Sequence, residues 1–480
     1  MSSDEEDLDL NDDTTSQMES IADDMMDIED PSVQNSPAPS PLQPSVVNTR
    51  QLDEKLDPQL LTCASYDCVP LAAAVHPSPI SSLATTRCYR WILTGSEDGY
   101  IRKWDFFASM NGKTALTQAH RHNYVDSVTL AGVLCSWWEN EEIPESVKPT
   151  TATTDGSEEP TTAAAPVFTL PREPKLSPVF SLDIHSEALW AVQGCENGSI
   201  NLTSVRHEEG KCHHVLRKHS APVSVLMITP GEIGVISGSW DKSVLEWDLN
   251  TGSVVRSYDG HSSQISSAEF QPIYTPFTNS SNDDAALLWN KKNENVLMTT
   301  SMDGQCLLWD RREPAQQARR LPIPDRTPPW CLSACWSADG TKIYAGRRNG
   351  TVDEYDFASQ KWIQSFRMPA NSGPVSCVRS MPNGKHIVCA SNDNIRLWNT
   401  TLESNFTIRS DSEPGFAKPS KLSSVIPFCI LPGHHGGTIS HISIDPTCKY
   451  MITTSGNRGW EGTSTNGCLF YDISAVTTAA

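Results

Sequence analysis

The sequence predicts an all-β protein built as a seven-bladed β-propeller, and a recurring phrase together with its spacing supports that prediction. The phrase consists of small residues, a turn built on Asp, Asn or Gly, and a short apolar strand that ends in an aromatic residue. Alternating apolar residues on both sides of the turn predict two antiparallel strands, and Asp-Gly or Asn-Gly supplies the positive φ of a tight hairpin. The clearest copies are ILTGSEDGYIRKWD (92–105), VISGSWDKSVLEWD (235–248) and LMTTSMDGQCLLWD (297–310).

Looser copies of the phrase set the number of blades. They read AVQGCENGSINLTS, IYAGRRNGTVDEYD, IVCASNDNIRLWN and a final one that ends GCLFYDIS. A β repeat of this kind is typical of the WD40 β-propeller, whose period is roughly 40–45 residues. Successive strand ends are 99, 44, 62, 46, 43 and 73 residues apart, so three intervals fit and three contain insertions. The strand ends are Trp104, Thr203, Trp247, Trp309, Tyr355, Trp398 and Tyr471.

One further segment resembles a copy but does not add a blade. NDDAALLWN (282–290) ends at Trp289, only 20 residues before Trp309. Four strands do not fit in that interval, so the segment is interpreted as an insertion inside the fourth blade.

Ring closure is expected to join the two ends of the repeat region. The final copy ends at Ile473, seven residues before the last residue, which leaves no chain for the outer strand of the seventh blade. The apolar stretch CVPLAAAV (68–75) can supply that strand. Pairing the ends removes exposed strand edges that would otherwise invite aggregation.

Composition divides the chain into a tail and a ring. Residues 1–49 contain 13 Asp or Glu and no Lys or Arg, out of a net charge of −21. Such a segment buries too little apolar surface to offset its ordering entropy, so residues 1–59 are predicted to form a disordered acidic, Pro/Ser-rich tail. Mixed acids and hydrophobes often dock on basic protein surfaces, although the tail could simply aid solubility. The propeller is predicted over 60–476, with insertions near 136–176, 271–295 and 400–424.

The sequence also indicates the cellular compartment of the protein and the kinds of partner that it is expected to bind. It contains no run of 18 apolar residues and no basic-then-apolar N-terminal signal, so neither a membrane span nor secretion is expected. Fourteen cysteines without CxxC pairs are expected to be reduced thiols of an intracellular protein. Outside residues 1–49, 45 acidic and 37 basic residues argue against broad nucleic-acid binding. Three arginine pairs, at 311–312, 319–320 and 347–348, are expected mainly as solvated surface.

The polar residues of the repeat are interpreted as structural rather than catalytic. His219, Ser237, Asp241 and Trp247 are placed to form a buried hydrogen-bond relay, because buried polar groups need partners. No phosphate-binding, dinucleotide-binding, metalloprotease or nucleophile-elbow motif occurs. Histidine pairs at 120 and 122, 213–214 and 434–435 could suggest a metal, but adjacent strand residues point to opposite faces, so His213 and His214 cannot readily chelate one ion together. His435 is expected at the Gly-His position of a repeat. We therefore expect no enzyme activity, no metal and no cofactor.

The best candidates for partner contacts are the residues just before the turn Asp or Asn of each copy. They are expected at the rim of the channel, where side chains vary freely. Trp240 and Arg348 are predicted as anchors, because Trp is favoured at binding hot spots. The alternative for Trp240 is packing on a neighbouring blade. The full set is Glu97, Glu196, Trp240, Met302, Arg348 and Asn392.

Three stretches carry a more specific resemblance. They are residues 92–113, residues 116–142 (LTQAHRHNYVDSVTLAGVLCSWWENEE) and residues 177–226. They resemble the WD-repeat subunit of the fungal SAGA transcriptional coactivator, the subunit that contacts the TATA-binding protein. The resemblance implies a nuclear, non-catalytic scaffold that binds the TATA-binding protein and other SAGA subunits. It would regulate delivery of the TATA-binding protein to promoters for RNA polymerase II, without sequence-specific nucleic-acid binding or membrane attachment.

Other functions remain open from the residues alone. A generic WD40 adaptor, such as a substrate receptor of a ubiquitin ligase, would have the same repeat. A propeller enzyme with its catalyst in the central channel is a third alternative, but no converging polar residues are visible in the sequence. If the resemblance holds, the acidic tail is expected to occupy the basic DNA-binding surface of the TATA-binding protein by charge mimicry.

Overall fold

The computed structural model describes residues 57–144, 175–273, 292–314, 317–325, 327–369, 372–392, 394–401, 428–434, 437–456 and 466–477. Helices are short and few within these ranges: α1 (Pro58–Thr62), α2 (Phe106–Asn111) and α3 (Gln118–Arg121). No helix of the described residues has the length and apolar character needed to cross a membrane. The strands form seven sheets of four or five strands, which are the seven predicted blades, and one two-stranded sheet.

The first half of the strands builds blades 1 to 3. After β1 (Ser65–Val75), blade 1 consists of β2 (Ile80–Thr85), β3 (Trp91–Ser96), β4 (Tyr100–Asp105) and, following β5 (Leu130–Ala131), β6 (Val133–Glu139). A small sheet of β7 (Glu141–Glu142) and β8 (Lys175–Leu176) precedes blade 2, which is β9 (Leu182–Ile184), β10 (Trp190–Gly194), β11 (Ser199–Ser204) and β12 (Cys212–Arg217). Blade 3 is β13 (Val223–Ile228), β14 (Gly234–Ser239), β15 (Val244–Asp248) and β16 (Ser253–Tyr258).

The second half builds blades 4 to 7. Blade 4 is β17 (Ile265–Pro272), β18 (Lys292–Ser301), β19 (Cys306–Asp310) and β20 (Arg319–Arg320). Blade 5 is β21 (Cys331–Trp336), β22 (Lys342–Arg347), β23 (Thr351–Asp356) and β24 (Lys361–Arg367). Blade 6 is β25 (Cys377–Ser380), β26 (His386–Ala390), β27 (Ile395–Asn399) and β28 (Phe428–Leu431). Blade 7 contains β29 (Ile439–Ile444), β30 (Tyr450–Ser455) and β31 (Gly467–Val476).

The ring closes through its two ends, as the apolar stretch 68–75 predicted. β1 pairs antiparallel with β31, from Ser65 opposite Val476 to Val75 opposite Gly467. The first strands of neighbouring blades contact one another all the way round, and β29 of blade 7 contacts β2 of blade 1. Closure of this kind leaves no unpaired edge on blade 7 at the join.

The small residues of the repeat are explained by how closely neighbouring blades pack. A Cβ at Gly238 on β14 would lie 2.6 Å from Cγ2 of Ile265, the first residue of the next blade. Gly95, Gly194 and Gly346 occupy equivalent positions, and each would meet a valine that belongs to the next blade or leads into it. Glycine at this position of the phrase therefore lets the apolar start of one blade pack directly on the backbone of the blade before it.

The buried apolar side chains form seven clusters within the described residues, and each bridges two neighbouring blades. One cluster combines Trp247 and Val235 of blade 3 with Val192 and Leu216 of blade 2. The next combines Trp309 of blade 4 with residues of blade 3. In every blade except blade 2, where Thr203 occupies the position, the aromatic residue that ends the third strand thus packs between blades. Truncation of a buried Trp to Ala at such a site costs about 3–5 kcal/mol.

Three expectations about local structure need correction or completion. The insertion predicted near 136–176 begins later, because Trp137 to Glu139 lie in β6 and pair with β4. The apolar residues 124–138 that precede this insertion contain β5 and most of β6. The predicted insertions near 271–295 and 400–424 overlap described strand or turn residues only at their edges, and the repeat-like segment 282–290 lies outside the described residues. The predicted tail, up to residue 56, is likewise outside them.

Candidate partner-binding face

The six predicted contact residues lie in the turns between the second and third strands of blades 1 to 6. Equivalent strands run in equivalent directions in a propeller, so these turns lie on one face of the ring, here called the upper face. Each turn is held against the connection that enters from the preceding blade. The backbone N–H of Glu97 donates to Pro79 (3.0 Å), that of Trp240 to Pro222 (3.0 Å) and that of Met302 to Gln264 (2.9 Å).

Trp240 combines an exposed surface with a packed one. Its side chain is 38% exposed, and its ring lies 5.4 Å, centroid to centroid, from the ring of Phe180, with the planes tilted by 34°. Phe180 belongs to the connection between β8 and β9, so it reaches Trp240 from the neighbouring blade. Two stacked aromatic rings restrict each other's rotamers, and a large apolar side chain presented in a fixed orientation is suited to anchor a partner.

Arg348 is exposed and lies over a second aromatic residue. The guanidinium carbon is 4.5 Å from the centroid of the Trp330 ring, a cation–π contact. Trp330 has φ of 120°, a conformation that side-chain-bearing residues rarely adopt. It sits just before β21, beside the turn at Gly304 of blade 4. The Trp330 ring therefore packs against one side of the Arg348 guanidinium, and the charged group remains exposed to solvent.

The other predicted residues differ in how far they are already engaged. Glu196 forms an exposed ion pair with Lys175 (3.0 Å). Asn392 accepts a hydrogen bond from the Thr438 hydroxyl (3.3 Å) at the junction with blade 7. Met302 is half-buried, whereas Glu97 is exposed. The structure thus leaves Trp240, Arg348 and Glu97 as the predicted residues with the most surface open to a partner.

Directly beneath Trp240, the four predicted relay residues form one continuous set of hydrogen bonds. His219 Nδ1 lies 2.9 Å from Asp241 Oδ2, and His219 Nε2 lies 2.7 Å from Ser237 Oγ. Trp247 Nε1 donates to the same Ser237 oxygen at 2.7 Å. Ser237 is fully buried, so its hydroxyl is not accessible to a substrate. The arrangement pins the turn to the blade and holds Trp240 in place.

The protonation of the relay follows from its burial. Burial lowers the pKa of His219, and this outweighs the opposing influence of the Asp241 carboxylate. Burial alone would raise the pKa of Asp241, but hydrogen bonds from Ser243 and from the backbone of Ser220 hold it below its usual value. The pair is therefore a neutral imidazole that donates Nδ1–H to a carboxylate, with Nε2 accepting from Ser237.

Shorter versions of the relay occur in other blades, and the sequence analysis missed them. In blade 1, His76 Nε2 lies 2.8 Å from Thr94 Oγ1, to which Trp104 Nε1 donates at 2.9 Å. In blade 4, His261, Thr299 and Trp309 repeat the pattern at 2.7 and 2.8 Å. A usable signal was present: in each case Ser or Thr precedes the closing Trp by ten residues.

Blade 7 corrects the expectation about His435. His434, next to Gly433, is buried and contacts Thr453 Oγ1 at 2.7 Å. The Gly-His position is thus one residue earlier than expected, and His435 is outside the described residues.

Blade 5 uses different chemistry, and it overturns the expectation that Arg347 is solvated. Arg347 is 1% exposed, and its Nε donates to Asp353 Oδ2 at 2.7 Å. Its other nitrogens donate to the Tyr355 hydroxyl (2.8 Å) and to the Gly304 carbonyl of blade 4 (2.6 Å). The reason is strand periodicity: Asp353 and Tyr355 are two residues apart on β23, so both point to the same buried face. Arg347 takes the place that a histidine relay holds elsewhere.

The lower part of the central channel contains a cavity of about 540 Å³ with charged side chains in its wall. Two of the carboxylates in this wall accept hydrogen bonds from backbone N–H groups. Asp183 accepts from the N–H groups of Ile184 (2.9 Å) and Ile228 (2.6 Å), and Glu269 accepts from that of Trp336 (3.4 Å). Burial raises the pKa of both carboxyl groups. Among the described residues, no group of three or more His, Cys, Asp or Glu side chains is arranged to hold a metal ion.

Seven sheets of four or five strands, third strands that mostly end in Trp or Tyr, and the buried His–Ser/Thr–Trp relays define a WD-type β-propeller. A family model described as the SPT8 β-propeller matches residues 66–286 and 277–474. The chain is 38% identical to the SAGA complex subunit Spt8 of Schizosaccharomyces pombe, over 88% of this chain and 82% of that protein. It is 37% identical to SAGA complex subunit SPT8 of Saccharomyces cerevisiae, over 85% and 73% of the two chains.

A more distant match reflects the repeat alone. A guanine nucleotide-binding protein subunit beta of Zea mays is 26% identical over 38% of this chain and 44% of its own length. The matches to the two yeast proteins cover most of both chains, by contrast. The chain therefore belongs to the SPT8 β-propeller family, as the resemblance of the three stretches predicted.

Proposed function

We propose that this protein is a non-catalytic scaffold subunit of a nuclear SAGA coactivator complex. In this proposal it binds the TATA-binding protein and regulates its delivery to promoters for RNA polymerase II. Membership of the SPT8 β-propeller family supports the assignment to SAGA, since both yeast relatives are named as subunits of that complex. The observation that best supports a binding role is the half-exposed Trp240, held on the upper face by Phe180.

The physical basis of binding is a preorganised surface. The hydrogen-bonded relay fixes the turn of Trp240, and Phe180 fixes its ring, so little side-chain entropy remains to be lost on association. Arg348, held over Trp330, adds a charge in a defined position. Anchors of this kind carry most of the free energy at protein interfaces. Trp240 and Arg348 are therefore the residues that the proposal assigns to the partner.

The acidic N-terminal segment contributes a second, electrostatic element to the proposal. Residues 1–49 carry 13 carboxylates and no Lys or Arg. Clustered carboxylates mimic the charge of a DNA backbone and would compete for the basic surface of the TATA-binding protein. A contact made through charge weakens as salt is added, whereas burial of Trp240 depends little on salt. The salt dependence of binding therefore distinguishes the contribution of the acidic segment from that of Trp240.

The test is a titration of the purified full chain with purified TATA-binding protein over a salt series, with and without residues 1–49. We expect binding by both forms, with a steeper salt dependence for the full chain. Absence of binding at every salt concentration would refute the assignment of the TATA-binding protein as partner. Unchanged affinity and salt dependence after removal of residues 1–49 would refute the role of the acidic segment and leave the contact to the propeller.

A further inference from the structure

A second surface lies between the outer strands of blades 1 and 2. A cavity of about 400 Å³ opens there, and we call it the blade 1–2 groove. Its wall on the side of blade 1 comes from β4 and β6, where Tyr100 pairs with Glu139. Its wall on the side of blade 2 comes from β11 and β12, where Thr203 pairs with Cys212. The groove is thus built on rigid strands of two blades.

The groove contains a buried donor and a buried acceptor that lack partners. Trp138 and Asn201 both line it and are only 7% and 2% exposed. Within the described residues, the Nε1–H of Trp138 has no acceptor and Oδ1 of Asn201 has no donor. A buried polar group without a partner costs about 1–3 kcal/mol, and native structures contain few. A ligand in the groove that offers both an acceptor and a donor would satisfy the two atoms.

The mouth of the groove favours a cation attached to an apolar stem. Trp137 on β6 is 63% exposed, the second most exposed of the large hydrophobic side chains described. The Tyr100 hydroxyl donates to Glu139 Oε1 at 3.0 Å, which fixes that carboxylate beside the opening. Among the described residues, neither Glu139 nor Glu141 forms an ion pair. An aromatic face next to a free carboxylate attracts the ammonium or guanidinium group of Lys or Arg.

The neighbouring basic residues do not neutralise these carboxylates, because most are engaged elsewhere. Arg102 pairs with Asp98 (2.7 Å), Lys103 with Glu209 (2.6 Å) and Lys175 with Glu196 (3.0 Å). Arg217 donates to the Ile143 carbonyl at 2.7 Å, which places its charge at the rim of the groove. Of the four basic residues named in this paragraph, Arg217 alone forms no ion pair with a described residue. Two free carboxylates against one such arginine leave the rim acidic.

We propose that the blade 1–2 groove binds a basic peptide segment of a partner protein. A Lys or Arg side chain lies against Trp137 and Glu139, and a peptide carbonyl and a peptide N–H satisfy Trp138 and Asn201. A simple alkylammonium ion cannot fill the site, because it offers no acceptor for the indole N–H. The chain's own segment at 145–174 is a poorer match in charge, since it contains five acidic and two basic residues. The proposal does not depend on the contact with the TATA-binding protein.

The test measures fluorescence anisotropy of a labelled dodecapeptide of Ala, Lys and Arg, titrated with the full chain. A peptide of equal length with Gln in place of Lys and Arg controls for charge. Two variants of the groove are compared, Trp137→Ala and Glu139→Gln, both at exposed positions. The matched control is Ile430→Ala, which alters a 57% exposed residue on β28, the outer strand of blade 6.

We expect the basic peptide to bind and the Gln peptide not to bind. Trp137→Ala should weaken binding at least tenfold, Glu139→Gln should weaken it several-fold and flatten its salt dependence, and Ile430→Ala should leave it unchanged. Equal binding by all four proteins would assign the signal to the acidic N-terminal segment and overturn the proposal. Binding that appears only after residues 146–172 are replaced by a Gly/Ser linker would assign the groove to the chain's own insertion, which also overturns it.

Discussion

Blades 3 and 5 solve the same structural problem with different chemistry. Each must hold the turn between its second and third strands. Blade 3 does so through His219, Asp241 and Ser237, a neutral histidine relay, whereas blade 5 uses the buried ion pair of Arg347 and Asp353. Above both, the turn presents a large side chain that packs on an aromatic residue: Trp240 on Phe180, from the connection that enters blade 2, and Arg348 on Trp330, from the connection that enters blade 5.

The two blades show that the buried residues that stabilise the turn are distinct from the exposed residues that are available to a partner. The buried groups differ between the two blades, yet both turns present a large side chain that packs on an aromatic ring. The interior of a blade is therefore free to vary as long as its polar groups are satisfied. Substitutions below the turn should change stability, and substitutions at its tip should change binding.

The largest stability effect is expected for Arg347→Met. Removing the guanidinium leaves the carboxylate of Asp353 buried and without its ion-pair partner, which costs about 3–5 kcal/mol. Urea unfolding measures the change. The neighbouring variant Arg348→Met alters an exposed side chain and should shift the free energy of unfolding by less than about 0.5 kcal/mol. Similar losses for both variants would show that Arg347 is not the buried partner described here.

A smaller loss is expected in blade 3 for Ser237→Ala. The change removes the shared partner of Trp247 Nε1 and His219 Nε2, and leaving such groups unsatisfied costs about 1–3 kcal/mol. The matched control is Ser253→Ala on β16, where the side chain is exposed. A Ser237→Ala variant as stable as the Ser253→Ala variant would argue against a relay that stabilises the blade.

The relays should also make stability depend on pH. Burial lowers the pKa of His261 to about 4, whereas an unfolded histidine titrates near 6.5. The unfolded chain therefore binds the proton first, and the contribution of His261, complete above pH 6.5, is lost as the pH falls towards 4. Between pH 6.5 and 5 the loss is about 2 kcal/mol.

The measurement compares the free energy of unfolding at pH 7 and pH 5 for the wild type and for His261→Gln. The difference between the two pH values should be smaller in the variant by about 2 kcal/mol. An unchanged difference would show that His261 is not held as a neutral imidazole. His76, whose pKa burial also lowers to about 4, provides an independent check in blade 1.

Much of the fold was predictable because each copy of the repeat encodes the strands and the turn of one blade. Glycine, turn and closing aromatic residue are local signals, so the seven blades and the closing strand followed from the sequence alone. Arg347 was misjudged because an arginine beside a turn usually faces solvent, and only the strand pairing shows that Asp353 and Tyr355 meet it. Phe180, Trp330 and the blade 1–2 groove could not be predicted, since they depend on contacts between segments far apart in sequence or on an irregular connection.

The smallest expected effect on stability, and the most direct test of the account, concerns the tip of blade 3. The full chain and its Trp240→Ala variant are titrated with purified TATA-binding protein at a salt concentration that screens the acidic segment. The control is Ile233→Ala, a 66% exposed residue in the turn at the opposite end of β14. We predict affinity at least tenfold lower for Trp240→Ala, or about 1.4 kcal/mol, and wild-type affinity for Ile233→Ala. Equal affinity for all three proteins would contradict the assignment of the upper face as the binding surface.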